Sequence, residues 1–288
     1  MRSKLFVPAS RPELFPKALA SAADALSFDL EDAVLPAKKA DAREALSDFL
    51  NGELLTAARR HDKHQTIIVR INPLGSEHFD ADLRVACHRN VDIINLPKTE
   101  SADDVRRFAE LLDRAEHAAS GTARVANIGI LANIETPAAL ANAAAIAGAH
   151  PNVWGLQLGL GDLFEPLNIA RYDDRNVHAT MFALRIASAQ SGCMVYDSAY
   201  ADVGNLDGYR REALQARSLG FLGKTCIHPS QIAVANDVFQ PNEQEIAWAR
   251  KVLEASSKNN INGAYLVDGV MIDAPFVARA RDIIKHAR

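Results

Sequence analysis

Short apolar runs alternate along the chain with longer stretches in which hydrophobic residues recur every three or four positions. The short runs are Lys4–Val7, Ala25–Leu30, Thr66–Ile71, Asp92–Leu96, Asn127–Ile134, Val153–Leu158, Cys193–Tyr196 and Phe221–Cys226. They start about every 31 residues, the length of one strand–helix unit. Most, like the run from Thr66 to Ile71, are apolar at nearly every position, as parallel strands covered on both faces are. Between them, Ala102–Ala119 carries Val105, Phe108, Leu111 and Leu112 at helical spacing. Ser101 is its expected N-cap, with Asp103 and Asp104 in the first turn. Pro137–Ala147 reads as an Ala-rich helix with proline at its first position. Asn242 and Glu245 form a capping-box pattern opening a helix over Gln244–Ala255.

Eight such units in a row predict an α/β fold, a (β/α)8 TIM barrel over residues 1–239, with a C-terminal helical lid extension over 240–288. A doubly wound open sheet competes less well, because no Gly-x-Gly-x-x-Gly follows the first strand. Length divided by a typical domain size suggests two domains. The absence of any Gly/Pro/Ser-rich linker argues against a second full one.

Composition narrows the class of protein. Hydrophobic residues make up 48% of the 288 and charged residues 24%, which excludes a disordered chain or a collagen-like repeat. The net charge of −4 disfavours a nucleic-acid partner. Cys87, Cys193 and Cys226 lack metal-ligand spacing and read as reduced, buried thiols. No apolar run approaches the roughly 18 residues of a membrane span. After Met1-Arg2-Ser3-Lys4 only three apolar residues precede Pro8, too few for a signal peptide. A cytoplasmic enzyme without a membrane partner is expected.

In a barrel, catalytic groups belong at the C-terminal ends of the strands. Those ends read Asp29-Leu30-Glu31-Asp32, Arg70-Ile71-Asn72, Pro97-Lys98, Glu135-Thr136-Pro137, Gly161-Asp162, Asp197 and His228-Pro229. One charge at a strand end is usually a loop-facing group, but seven polar ends sharing one rim predict a site. Crowded carboxylates repel unless neutralised, and oxygen-only donors suit Mg²⁺ or Mn²⁺ rather than Zn²⁺. Lys98 and Lys224 are the strand-end lysines available to a Schiff-base aldolase, although Lys98 reads equally well as a paired or phosphate-facing group. His228 reads as structural. A Gly-x-Ser-x-Gly elbow, a P-loop and a His-Glu-x-x-His motif are absent.

Several of these segments, taken together, resemble a known family. They are Leu5-Phe6-Val7-Pro8-Ala9-Ser10-Arg11-Pro12, Phe28-Asp29-Leu30-Glu31-Asp32-Ala33-Val34, Val69-Arg70-Ile71-Asn72, Leu96-Pro97-Lys98-Thr99-Glu100, Ile134-Glu135-Thr136, Ile227-His228-Pro229-Ser230-Gln231 and Met271-Ile272-Asp273-Ala274-Pro275. The chain resembles the citrate lyase β-subunit-like branch of the HpcH/HpaI aldolase family, from Arg2 to its C-terminal segment. The resemblance implies a TIM barrel acting as a homotrimer or hexamer. It also implies Mg²⁺-dependent cleavage or formation of a C–C bond in a citryl-, malyl- or citramalyl-type thioester, with a 2-oxoacid as partner molecule.

By position the resemblance makes Glu135 and Asp162 metal ligands, with Glu135 also facing the substrate. Arg70 becomes the clamp on the substrate carboxylate, and Glu31 and Asp32 an acidic pair beside the metal. Asp273 becomes an acid/base reaching a neighbouring subunit's site. Many members carry Glu-Asp where this chain has Gly161-Asp162, which leaves the ligand position intact and points to a different substrate. Lys98 is a further candidate substrate contact. Arg2, Lys4 and Arg11, with Lys38 and Lys39, are the basic residues expected near the phosphates of a coenzyme A thioester, or of an acyl carrier protein. A thioesterase on the same scaffold and a non-catalytic acyl-CoA-binding subunit are the alternative readings.

Overall fold

The computed structural model describes residues 1–60, 65–120, 128–259 and 264–287. Asn127, the expected first residue of the fifth strand, lies outside them. Eight parallel strands form one sheet: β1 (Ser3–Pro8), β2 (Ala25–Asp29), β3 (Thr66–Arg70), β4 (Ile93–Leu96), β5 (Gly129–Ile134), β6 (Val153–Leu158), β7 (Met194–Tyr196) and β8 (Lys224–Cys226). Their order is β7-β6-β5-β4-β3-β2-β1-β8, every pair parallel. The edges meet at a parallel bridge, Asp197 to Lys224, which closes the eight strands into a barrel, with the amides of Leu222 and Thr225 donating to the carbonyls of Val195 and Asp197 at 3.0 and 3.2 Å. The amide of Asp197 donates to the Gly223 carbonyl at 2.8 Å across this seam.

The strands' outward positions are apolar and buried, among them Leu26, Phe28, Ile67, Val69 and Ile94, all 0% exposed. The inward positions are not uniformly apolar. Ala25, Ile68, Ile93, Leu131 and Tyr196 cluster in the lower barrel with Trp154 and Met194 packed against them. On β1, β2, β4, β5 and β6, Lys4, Ser27, Asn95, Asn133 and Gln157 are buried polar residues. An apolar reading of the strands therefore describes their outward residues and overlooks a polar layer inside, because the apolar bottom layer masks the period-2 alternation.

Helices begin as expected where local caps anchor them. The helix Ala102–Ser120 starts behind Ser101, whose Oγ accepts the Asp104 amide at 3.2 Å. Asn242 and Glu245 exchange two backbone-to-side-chain bonds, at 2.8 and 2.9 Å, at the start of the helix Glu243–Asn259. The Ala-rich helix is two, Pro137–Ala141 and Ala143–Ala147, broken at Asn142, whose side chain donates to the Glu100 carbonyl at 2.8 Å.

The described residues divide into two compact units, Met1–Val238 and Phe239–Arg288. In the second, the helices Glu243–Asn259 and Ala274–His286 pack around Ala249, Val252, Ile272, Val277 and Ala280. Strands β9 (Tyr265–Val267) and β10 (Val270–Ile272) pair there as an antiparallel hairpin. Its two-residue turn uses Asp268 and Gly269, both at positive φ, which suits the strands' twist. No helix among the described residues is long and apolar enough to cross a membrane.

Candidate active site

The parallel register places Asp29 beside Arg70 at the C-terminal ends of β2 and β3. Arg70 donates from Nε to Asp29 Oδ1 at 2.7 Å and from one terminal nitrogen to Oδ2 at 2.6 Å, a bidentate pair. Asp29 also accepts the amides of Glu31 and Ala33, at 2.9 and 3.1 Å. Burial pushes the Asp29 carboxyl up, but the Arg70 bonds and charge outweigh it, and the group sits below the ordinary aspartate range. The other terminal nitrogen of Arg70 approaches Glu31 at 2.9 Å and Asp32 at 3.5 Å. The guanidinium also lies 4.7 Å from the centre of the Phe6 ring.

Glu31 is almost fully buried, and neither carboxylate oxygen has an aligned hydrogen bond. Its nearest cations are Arg70 and the Lys98 ammonium, the latter 3.8 Å away. Burial drives its pKa up to about 8 against the pull of Arg70, with Asp32, Glu135 and Asp29 adding repulsion. Asp32 is half-exposed.

Lys98 takes a left-handed conformation, φ 50°, which a residue with a side chain adopts only when its surroundings impose it. The conformation accompanies a bond from its backbone amide to Glu135 Oε1 at 2.6 Å. Asn133 donates to the other oxygen at 3.0 Å. Glu135 is raised above the ordinary glutamate value, first by burial; the Lys98 amide opposes this and Asp162 adds repulsion. Asp162 is raised as well, by burial and then by Asp32. A methyl group on Gly159 would lie 2.6 Å from the Cβ of Glu135, so only glycine lets the end of β6 approach the Glu135 side chain.

The mouth thus gathers Asp29, Glu31, Asp32, Arg70, Lys98, Glu135 and Asp162. Its charge is unbalanced, and three of its carboxylates are pushed toward protonation. A divalent cation relieves that repulsion. Among the described residues no three His, Cys, Asp or Glu side chains are grouped to hold a metal ion. Two carboxylates fit Mg²⁺, which keeps several waters and accepts oxygens from a substrate.

Other expected site residues lie elsewhere. Arg2 precedes β1, at the N-terminal end of the barrel, where it pairs with Asp24 at 2.9 Å. It does not reach the mouth. Lys4 is 1% exposed inside the barrel and hydrogen-bonded to Asn95 and Gln157, so it is not a phosphate contact. Lys39 is buried and donates to the carbonyls of Leu30 and Glu31. Arg11 and Lys38 are exposed and paired with Glu13 and Asp41. Asp197 is fully buried and paired with Lys224 at 2.5 Å. His228 is exposed, with Nδ1 2.8 Å from Ser230 Oγ. Asp273 belongs to the C-terminal unit, at the N-terminus of the helix Ala274–His286, and its side chain does not cap that helix.

Asp29 is visible in the sequence as one carboxylate of a run, but its role rests on strand register, which the sequence does not carry. Asn95, Asn133 and Gln157 escape a reading confined to strand ends; their signal is a lone polar residue within an otherwise apolar run, and for Asn133 its place two positions before Glu135. A cavity of about 900 Å³ opens at the opposite end of the barrel, lined in part by Arg89, Asp92, Trp154 and Met194. It includes no residue of the mouth.

Comparison with known proteins finds relatives along the whole chain. The sequence model described as HpcH/HpaI aldolase/citrate lyase matches residues 2–229. Citrate lyase subunit beta of Haemophilus influenzae is 33% identical over 291 residues, covering 100% of this chain and 97% of the relative. A (3S)-malyl-CoA thioesterase of Cereibacter sphaeroides is 33% identical over 289 residues, covering 99% of this chain and 94% of the relative. Among solved structures, CitE of Mycobacterium tuberculosis in complex with magnesium, acetoacetate and coenzyme A superimposes with a TM-score of 0.74 at 32% identity. That match covers 100% of this chain and 99% of the other.

Proposed function

The chain belongs to the HpcH/HpaI aldolase/citrate lyase family, and from that premise we propose that it is a Mg²⁺-dependent carbon–carbon lyase acting on a 3-hydroxyacyl thioester. Its substrate is a citramalyl-CoA, malyl-CoA or citryl-type thioester, cleaved to a 2-oxoacid and an acetyl-CoA-type thioester. The observation that carries this reading is the meeting of Glu135, Asp162 and Arg70 at one barrel mouth. Relatives named as citrate lyase subunits support the reaction class, and the magnesium and coenzyme A of the M. tuberculosis complex support the cofactors.

Glu135 and Asp162 are the residues that hold the cation. When bound, Mg²⁺ supplies Lewis acidity to the oxygen that becomes the carbonyl of the 2-oxoacid. Arg70, fixed by Asp29 through Nε and one terminal nitrogen, directs its remaining nitrogen to the substrate carboxylate. Glu31 takes the substrate hydroxyl proton; with Arg70 and Lys98 beside it, and no hydrogen bond to either oxygen, it has an open acceptor position. As the C–C bond breaks, its electron pair passes to the thioester enolate. Asp273, from the C-terminal unit of a neighbouring subunit, gives the enolate carbon its proton. Asp32, 3.5 Å from Arg70, adds negative charge beside the position of the cation. Arg11 and Lys38 remain the candidates to face the carrier's phosphates. The working form is a homotrimer or hexamer in the cytoplasm.

The test is a coupled assay with a panel of CoA thioesters and Mg²⁺, following pyruvate, glyoxylate or oxaloacetate. The parent should release one of these together with a shorter acyl thioester, and Glu135→Ala should abolish that turnover. Undiminished activity in the variant would overturn the metal assignment. The malyl-CoA thioesterase relative motivates a second reading, in which water attacks the thioester carbonyl. Release of the free hydroxy acid, with no 2-oxoacid, would establish that reaction instead.

A further inference from the structure

The polar layer inside the barrel forms a continuous chain. Lys4 Nζ donates to Asn95 Oδ1 at 2.7 Å. Asn95 Nδ2 donates to Asn133 Oδ1 at 2.6 Å and to the Leu131 carbonyl at 2.9 Å. Asn133 Nδ2 donates to Glu135 Oε2 at 3.0 Å. Lys4, Asn95, Asn133 and Glu135 are all 3% exposed or less, so bulk water cannot replace these bonds. Nζ also bonds Gln157 and lies 4.3 Å from the centre of the Phe6 ring, with no carboxylate among the described residues in contact. Burial, with Arg70 adding repulsion, pushes the Lys4 amine well below the ordinary lysine value, so the polar group is costly here and a merely apolar filler would suit the position better.

On the reading that Glu135 holds the metal, we infer that Lys4 is a positioning residue for Glu135, acting through Asn95 and Asn133. Its effect lies in the direction of the bonds. Lys4 Nζ donates to both Asn95 and Gln157, so it presents hydrogens to the oxygens on that side. Opposite it, Asn95 must present its oxygen, which turns its NH₂ toward Asn133. Asn133 must then accept from Asn95 and turn its own NH₂ toward Glu135. Every bond points the same way, and aligned bonds polarise one another. The Leu131 carbonyl also requires the Asn95 NH₂, so without Lys4 one orienting bond remains instead of two. A joint flip, which would set the Asn133 oxygen against the Glu135 carboxylate, then costs less, and Lys4 disfavours it. With the Lys98 amide on Oε1, each Glu135 oxygen then holds one fixed donor and keeps its remaining lone pair for a cation.

The test measures Mg²⁺ binding by calorimetry on the full chain without substrate. Lys4→Met and Asn133→Leu should each bind Mg²⁺ about tenfold more weakly, the scale typical of partners that orient metal ligands. The double variant should be no weaker than either single one, because both break the same chain. Saturating Mg²⁺ should restore kcat, which a role in holding the barrel together would not allow. Additive losses, or affinity within twofold of the parent in Lys4→Met, would overturn the inference. Should Lys4→Met fail to fold, Asn133→Leu with parental affinity would overturn it as well. Glu135→Gln separates the two claims. If that variant loses Mg²⁺ binding while the relay variants keep it, only the inference fails; if it too binds like the parent, the metal reading fails.

Discussion

Arg70 illustrates what a single residue contributes at this mouth. A guanidinium can grip a carboxylate ligand only if its own orientation is fixed beforehand, and Asp29 fixes it with two short bonds. Asp29→Asn keeps the shape but replaces one acceptor oxygen with a donor that faces the guanidinium. Arg70 is then held only through its other terminal nitrogen, which pairs with Glu31 at 2.9 Å and Asp32 at 3.5 Å. A misplacement of about 1 Å costs on the order of 100-fold in catalysis. We therefore expect kcat/KM in Asp29→Asn to fall by about that factor while the circular dichroism spectrum stays parental. Turnover within twofold of the parent would show that Asp29 does not position the arginine. At this scale the sequence is informative about residue type and silent about partnership. Glu31, Asp32, Arg70, Lys98, Glu135 and Asp162 all stand out at strand ends, and the structure gathers them. The Arg70–Asp29 pairing depends on which residues stand side by side in β2 and β3, and Lys4 looks like any basic residue near a loop until strand parity turns it inward.

At the scale of elements, the end of β6 must come unusually close to the end of β5. Gly159 is what permits it. A Cβ there would meet the Glu135 Cβ at 2.6 Å and Oε2 at 3.0 Å, and the nearer contact is with an atom anchored to the backbone. Gly159→Ala should thus push Glu135 out of reach of its two donors and destabilise the barrel by about 1–3 kcal/mol, as overpacking does. A thermal melt reads the second effect and a Mg²⁺ titration the first. A variant with parental Mg²⁺ affinity would show that the glycine is not needed for the approach. The caps explain why some elements are legible and others are not. Ser101 and the Asn242–Glu245 box bond locally, so the sequence alone locates those helix starts. The break at Asn142 depends on the Glu100 carbonyl, 42 positions earlier, and no local pattern announces it.

For the barrel as a whole, eight strands must close on themselves, and between β7 and β8 three backbone bonds among the described residues cross the seam, from Leu222 to Val195, Asp197 to Gly223 and Thr225 to Asp197. A buried charge cluster backs that seam. Lys224 bonds Asp197 at 2.5 Å and Glu212 at 2.7 Å, and Arg171 forks onto Glu212 at 2.7 and 2.9 Å. Two cations face two carboxylates, so removing one anion strands a buried positive charge, a loss of about 3–5 kcal/mol. Burial pushes the Glu212 carboxyl up, but Lys224 and Arg171 hold it below the ordinary glutamate value. A carboxylate with a lowered folded pKa stabilises above its unfolded pKa, about 4.3, and that contribution is lost as pH falls through the folded value. Glu212→Gln should therefore melt well below the parent at pH 7. It should also lose less further stability between pH 5 and pH 3, because the group that titrates there is gone. Melting curves across that range decide the matter: equal midpoints at pH 7 would mean that the seam does not depend on Glu212. Parallel acid profiles would assign the titration to other carboxylates.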